Sequence, residues 1–185
     1  MVERYFMEEI FKLEDALTVI HNRKSVRKYT DKPVEKETLH VLFKAAMAAC
    51  TSADKRPWSF IGITEKTKLF ALAEVLKYGK MLKDAGAAIV VCGTPQQASP
   101  DLANEFWVQD CAAATHNILI AAEAVKLGAV WIGIYPMTDR IFHLRSILQI
   151  PEEIFPFSIV SLGYPLGVEK PRNKYDETKI HWNKW

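Results

Sequence analysis

The sequence is short of cysteine and glycine, carries almost no net charge and has no long apolar run. Each shortage removes a class of function. Three cysteines, Cys50, Cys92 and Cys111, are an odd number without a C-x-x-C spacing. They suit reduced thiols in a cytoplasmic setting better than a disulfide framework. No two of the eight glycines are separated by a single residue, so G-x-G-x-x-G is absent, and with it the Rossmann dinucleotide fingerprint. Gly128 and Gly133 stand at P-loop spacing, but Ile134 follows where a Walker motif needs lysine. There is no G-x-S-x-G elbow. The five histidines form no H-E-x-x-H or other close ligand pair, so nothing argues for a metal. A formal charge of +2 on 185 residues is too small to imply a nucleic-acid partner. No stretch reaches about 18 uncharged apolar residues, so no membrane span is expected. Residues 1–13 lack the basic start and apolar run of a signal peptide.

What is present reads as one folded domain over 1–185. Hydrophobic residues make up 49% and charged residues 25%, and a chain of this size buries roughly 70% of its unfolded surface on folding. Apolar spacing predicts helices over 15–21, 35–49, 66–76, 102–127 and 139–148, and strands over 58–64, 87–93, 129–134 and 157–163. The helix over 102–127 is alanine-rich, about 26 residues long and so roughly 39 Å, with Gly128 placed to end it. Its centre, 112–124, is apolar almost all round, which predicts deep burial and makes His116 a core or interface histidine. Trp58 and Trp131 fall in strand patterns and are expected to pack the core. Phe106 and Trp107 precede the buried centre of the helix and either pack there or line a substrate channel. The last segment, 164–185, has no apolar run yet holds Tyr175, Ile180, Trp182 and Trp185. It reads as an arm that docks, whereas 1–15 is an extension.

Charge is uneven locally. Between His21 and Lys36 six basic residues (Arg23, Lys24, Arg27, Lys28, Lys32 and Lys36) face two acidic ones, and five basic residues face three over 169–185. These are either two solvated faces or two segments that reach one anion. Arg23-Lys24-Ser25 places two cations and a hydroxyl in three positions, the groups a phosphate needs.

The run Arg23–Val34 (RKSVRKYTDKPV) is similar to the opening motif of the FMN-dependent nitroreductase family. Ala45–Phe60 (AAMAACTSADKRPWSF) resembles that family's Pro-Ser-x-x-Asn-x-Gln-Pro-Trp signature. The likeness continues through the Ala-rich helix, LGAVWIGIYP (127–136) and SLGYPLG (161–167) into the basic tail, covering about 16–185. The resemblance implies an α+β fold: a mixed, mainly antiparallel sheet wrapped by helices, in an intertwined homodimer with two FMN molecules at the subunit interface. Arg23, Lys24 and Ser25 match the positions that hold the FMN phosphate and ribityl chain. Arg27 matches the cation beside the pyrimidine edge. Cys50, Thr51 and Asp54 match positions that reach the partner's flavin, and Tyr135, Pro136 and Met137 match the loop against N5 and O4. Arg172 and Lys174 match the basic pair that returns to the phosphate. Lys80-Met81-Leu82 resembles a flavin-proximal segment in some relatives.

The activity implied is ping-pong oxidoreduction. NADH or NADPH visits as a transient donor and leaves, and a nitroaromatic, quinone or similar small-molecule acceptor follows. Flavin carries this chemistry, so no side-chain acid or base is needed. Two alternatives stay open at this point, a reductive dehalogenase on the same scaffold and a flavin store or sensor without turnover. Asp54 and Arg56 stand where the family has Asn and Gln. A carboxylate near the ring disfavours an anionic reduced flavin unless Arg56 or another cation neutralises it. Cys50 is either a reactive thiol near flavin or a small buried filler.

Overall fold

A computed structural model describes residues 16–98 and 105–185. The expectations for 1–15, and for the start of the long helix at 102–104, lie outside those residues. The described elements are α1 (Ala16–Asn22), α2 (Lys36–Met47), β1 (Trp58–Ile63), α3 (Lys66–Val75), β2 (Ala87–Gly93), α4 (Phe106–Ala124), β3 (Gly128–Gly133), α5 (Thr138–Leu148) and β4 (Phe155–Gly163). The strands form one sheet in the order β1-β2-β4-β3, every neighbour antiparallel. A parallel element enters through a bridge between Ser25 and Ala129, outside the named strands.

The sheet carries helices on both faces. Side chains alternate across a strand. Ile89 and Val91 therefore pack with Leu39 and Leu42 of α2 and Ala114 and Ile118 of α4. Ala88, Val90 and Cys92 face the other way, toward Leu69 and Leu72 of α3 and Leu144 of α5. A strand covered on both sides needs no polar alternation, and every residue of β2 is buried. Trp58 and Trp131 are half-buried against the first of these clusters, and Trp107 is buried within it.

The long helix departs from the expectation at its end and on one flank. It stops at Ala124, and Gly128 begins β3 instead of capping it. Lys126 takes the left-handed position (φ 61°), its N–H reaching Glu123 O at 3.0 Å while Leu127 N–H reaches Ala122 O at 2.8 Å. That pair of bonds is a Schellman closure made without glycine. Trp107, Cys111, Ala114, Ile118 and Ala122 are buried, but His116 is exposed and Ala112, Ala113 and Ile120 are half-buried. An apolar centre all round thus leaves one flank uncovered by the described residues. No helix among the described residues is long and apolar enough to cross a membrane.

Two glycines decide where the basic segment lies. Gly128 and Gly163 are directly paired across β3 and β4. A Cβ on Gly128 would stand 2.7 Å from Val26 Cγ1, and one on Gly163 would stand 2.7 Å from Tyr29 Cγ. The segment carrying Arg23, Lys24, Ser25 and Arg27 therefore sits on a patch of bare backbone. Gly163→Ala should push the Tyr29 ring off this seat and lower stability by about 1–3 kcal/mol, the range for overpacking a filled site. A urea denaturation midpoint equal to that of the unsubstituted protein would contradict this seating.

Candidate functional site

The basic segment is held by backbone bonds at both ends. Val26 N–H donates to Ala129 O at 2.9 Å, Thr30 N–H donates to Tyr164 O at 2.8 Å, and Leu166 N–H returns to Lys28 O at 3.0 Å. Between these points the side chains sort by polarity. Val26 and Tyr29 turn inward, while Ser25, Arg27 and Lys28 stay exposed and Arg23 and Lys24 are half-buried. Tyr29 O–H donates to Val26 O at 2.8 Å. Burial pushes its phenol up to about 12, so this donor persists across the physiological range.

The exposed side of the segment forms an open cleft of about 470 Å³ with the start of the tail. Arg23, Lys24, Ser25 and Arg27 line one wall and Glu169, Lys170, Arg172 and Lys174 the other. Six cations thus face one carboxylate. Lys24 is the least available of them, because its Nζ lies 2.8 Å from Glu123 Oε1 at the end of α4. His116 opens on an adjoining cleft with Arg23, Arg172 and Lys174. Desolvation, then the charges of Arg23 and Lys174, hold its imidazole below the ordinary histidine value. It is therefore neutral near pH 7.

Arg27 also lines a second cleft, of about 490 Å³, which runs beside Val130–Gly133. β3 is an edge strand, and both anchors on its open side are visible. Ala129 O accepts from Val26, and Gly133 O accepts from Arg140 Nη1 at 2.6 Å. Trp131 lies between them at the same parity, so its backbone N–H and C=O face the same open side. The far wall comes from Lys77, Tyr78, Lys80 and Met81, with Arg140 from α5. Sequence reasoning passed over Lys77, Tyr78 and Arg140. The similarity of Lys80–Leu82 to a flavin-proximal segment was the only pointer to this wall, and Arg140 is an ordinary helical arginine in the sequence.

Tyr135, Pro136 and Met137 follow directly on β3. Tyr135 is half-buried edge-on to Trp107, with ring centroids 4.8 Å apart, and Pro136 and Met137 are exposed. Trp107 and Tyr135 line a further cleft with Phe155.

Cys50, Thr51 and Asp54 are not brought to these clefts within the chain. Their turn is tied to the other end of α4, where Ser52 N–H donates to Asp110 Oδ1 at 3.0 Å. From Asp110 to Glu123 is 13 residues of helix, roughly 20 Å along the axis. The turn is strained, with Ala53, Asp54 and Arg56 at positive φ. Arg56 grips Asp54 with two nitrogens, at 2.8 and 2.6 Å. That fork holds the Asp54 carboxyl below its ordinary value and neutralises the carboxylate that stands where the family has Asn. Cys50 is exposed and not the buried filler, while Cys92 and Cys111 are buried with their thiols pushed up by desolvation. Among the described residues no group of three or more His, Cys, Asp or Glu is placed to hold a metal.

The family model described as Nitroreductase family matches residues 20–77 and 64–164. A candidate NADH dehydrogenase/NAD(P)H nitroreductase of Methanothermobacter thermautotrophicus is 43% identical over 171 residues, covering 92% of this chain and 88% of its own. The solved structure of a candidate NADH dehydrogenase/NAD(P)H nitroreductase from Parabacteroides distasonis is 47% identical, with a TM-score of 0.87 over 93% of this chain and 100% of its own. An FMN-dependent nitroreductase from Clostridium difficile is 30% identical, with a TM-score of 0.83 over 91% of this chain and 99% of its own.

Asp110 offers a test of how the Thr51–Arg56 turn is held. It is buried, and its Oδ2 has no hydrogen-bond partner among the described residues. Desolvation raises its carboxyl above the usual range, against the Ser52 N–H, which lowers it. The folded chain therefore binds this proton more tightly than the unfolded chain. Stability should be greatest in acid and decline as pH rises from about 3.9 to the raised value. Asp110→Asn keeps an acceptor for Ser52 and should flatten that decline in urea titrations run from about pH 4 upward. Asp110→Ala leaves the Ser52 N–H unpaired and should cost about 1–3 kcal/mol. An unchanged pH slope in the Asn variant would sink the assignment.

Proposed function

The chain belongs to the nitroreductase family, and on that premise we propose that it is an FMN-dependent NAD(P)H oxidoreductase whose cofactor is held along the open edge of β3. The donor set suits the group. A phosphate is matched by the guanidinium forks, ammonium groups and hydroxyl of Arg23, Ser25, Lys170, Arg172 and Lys174. The imide edge of a flavin, one N–H between two carbonyls, is matched by the free backbone of Trp131 and by Arg27. The observation that carries the reading is the continuity of the two clefts through Arg27.

When bound, FMN supplies the two-electron chemistry, taking a hydride from NADH or NADPH and passing electrons to a nitroaromatic, quinone or similar electrophilic acceptor. The chain supplies binding and charge. Arg23, Arg172 and Lys174 neutralise the phosphate, and Lys24, paired to Glu123, fixes the angle at which α4 meets the segment. Arg27 sets a positive potential beside the ring, which favours electron uptake. Tyr135, Pro136 and Met137 close the far end.

Cys50, Thr51 and Asp54 serve the cofactor of a second copy. Their separation from the chain's own cationic cleft supports this reading, as does the uncovered flank of α4. The arm 164–185 docks on that copy. Trp182 and Trp185 are 82% and 99% exposed and so have little cover from the described residues. A C2 homodimer satisfies all three. Three free cysteines suit a reducing, cytoplasmic setting.

The double variant Arg23→Ala with Ser25→Ala should purify without flavin and bind added FMN at least about a hundredfold more weakly, two charge-assisted contacts being removed. Full FMN occupancy in that variant would overturn the phosphate assignment.

A further inference from the structure

The ring cleft carries more positive charge than a flavin needs. Arg27, Lys77, Lys80 and Arg140 line it, and among the described residues no carboxylate does. The FMN phosphate is met in the other cleft, and the ring edge is an uncharged imide that Arg27 and Lys80, the latter in the segment resembling a flavin-proximal one, suffice to serve. Two further cations, Lys77 and Arg140, stand on the opposite wall, contributed by the segment after α3 and by α5. They surround an aromatic surface. Tyr78 is 62% exposed, with Lys77 Nζ 5.4 Å and Arg140 Cζ 5.6 Å from its ring centroid. Arg140 is oriented by its bond to Gly133 O, and its remaining guanidinium N–H groups have no hydrogen-bond partner among the described residues. Met81 and Trp131 add apolar surface. Clustered like charges around an open aromatic wall repel one another unless an anion joins them.

We infer that this wall selects an aromatic electron acceptor bearing an acidic substituent, a carboxylate or sulfonate, with the ring against Tyr78 and the acid between Lys77 and Arg140. The inference rests on the FMN reading and names the substrate class of that same site. A flat ring meets Tyr78 and Met81, and the acid takes charge-assisted bonds that a neutral analogue cannot make.

The test uses FMN-loaded protein and two matched pairs. Benzoate and benzamide, which are not reduced, are titrated by calorimetry. 4-Nitrobenzoate and 4-nitrobenzamide are then compared as acceptors with NADPH. Benzoate should bind about tenfold or more tightly than benzamide, the worth of one charged hydrogen bond. The same preference should appear in kcat/KM for 4-nitrobenzoate, although the amide is the more electron-withdrawing group and is intrinsically easier to reduce. Both ratios should fall toward one in about 0.5 M salt and in Lys77→Gln with Arg140→Gln. Equal affinities for benzoate and benzamide, or a preference that the double variant keeps, would overturn the inference while leaving the FMN reading intact. Protein that takes up no FMN overturns the cofactor reading, and this inference with it.

Discussion

The structure depends on a contact between two bare pieces of backbone and two inward side chains. Gly128 and Gly163 face each other across β3 and β4, and Val26 and Tyr29 lie on them within van der Waals distance. That seat, together with the backbone bonds of Val26 and Thr30, fixes the place of the segment from Arg23 to Arg27. With it, the segment's inward residues are consumed by packing and its cations have nowhere to go but outward. Six cations gathered in one cleft are held together at a cost in repulsion. A stored cluster of this kind on a rigid strand edge is the arrangement a dianionic ligand relieves.

The same edge divides the polar groups of the chain between two places. Ser25 and Val26 cap one end of β3 and Arg140 caps the other. The backbone between them remains open, bounded on one side by the chain's own cations. The remaining polar turn, Thr51–Arg56, is roughly 20 Å away along α4, anchored by Asp110. In the homodimer proposed above, a second copy brings the two ends together. The Arg56–Asp54 fork neutralises the one carboxylate of that turn, which removes its penalty on an anionic reduced flavin.

Much of this was legible in residue order. Apolar periodicity placed every described helix and strand within a few residues, because α2, α3 and β2 bury faces whose spacing their own backbone dictates. The basic segment and the tail were visible as charge. Three things were not. The end of α4 depends on Lys126 accepting a left-handed conformation that sequence assigns to glycine. The exposure of His116 depends on which helix flank the sheet covers, a tertiary fact. Lys77, Tyr78 and Arg140 meet only because α3 and α5 pack on the same face of the sheet, and no local signal carries that.

The most direct test of the account is an anaerobic absorbance titration. FMN is added to the purified chain at low and high salt, and NADPH or NADH follows. The account requires uptake of about one FMN per chain, affinity that weakens with salt because the phosphate is held by exposed cations, and bleaching of the flavin bands on addition of the nicotinamide. A chain that ignores added FMN, or that binds it and stays yellow with both donors, would contradict it.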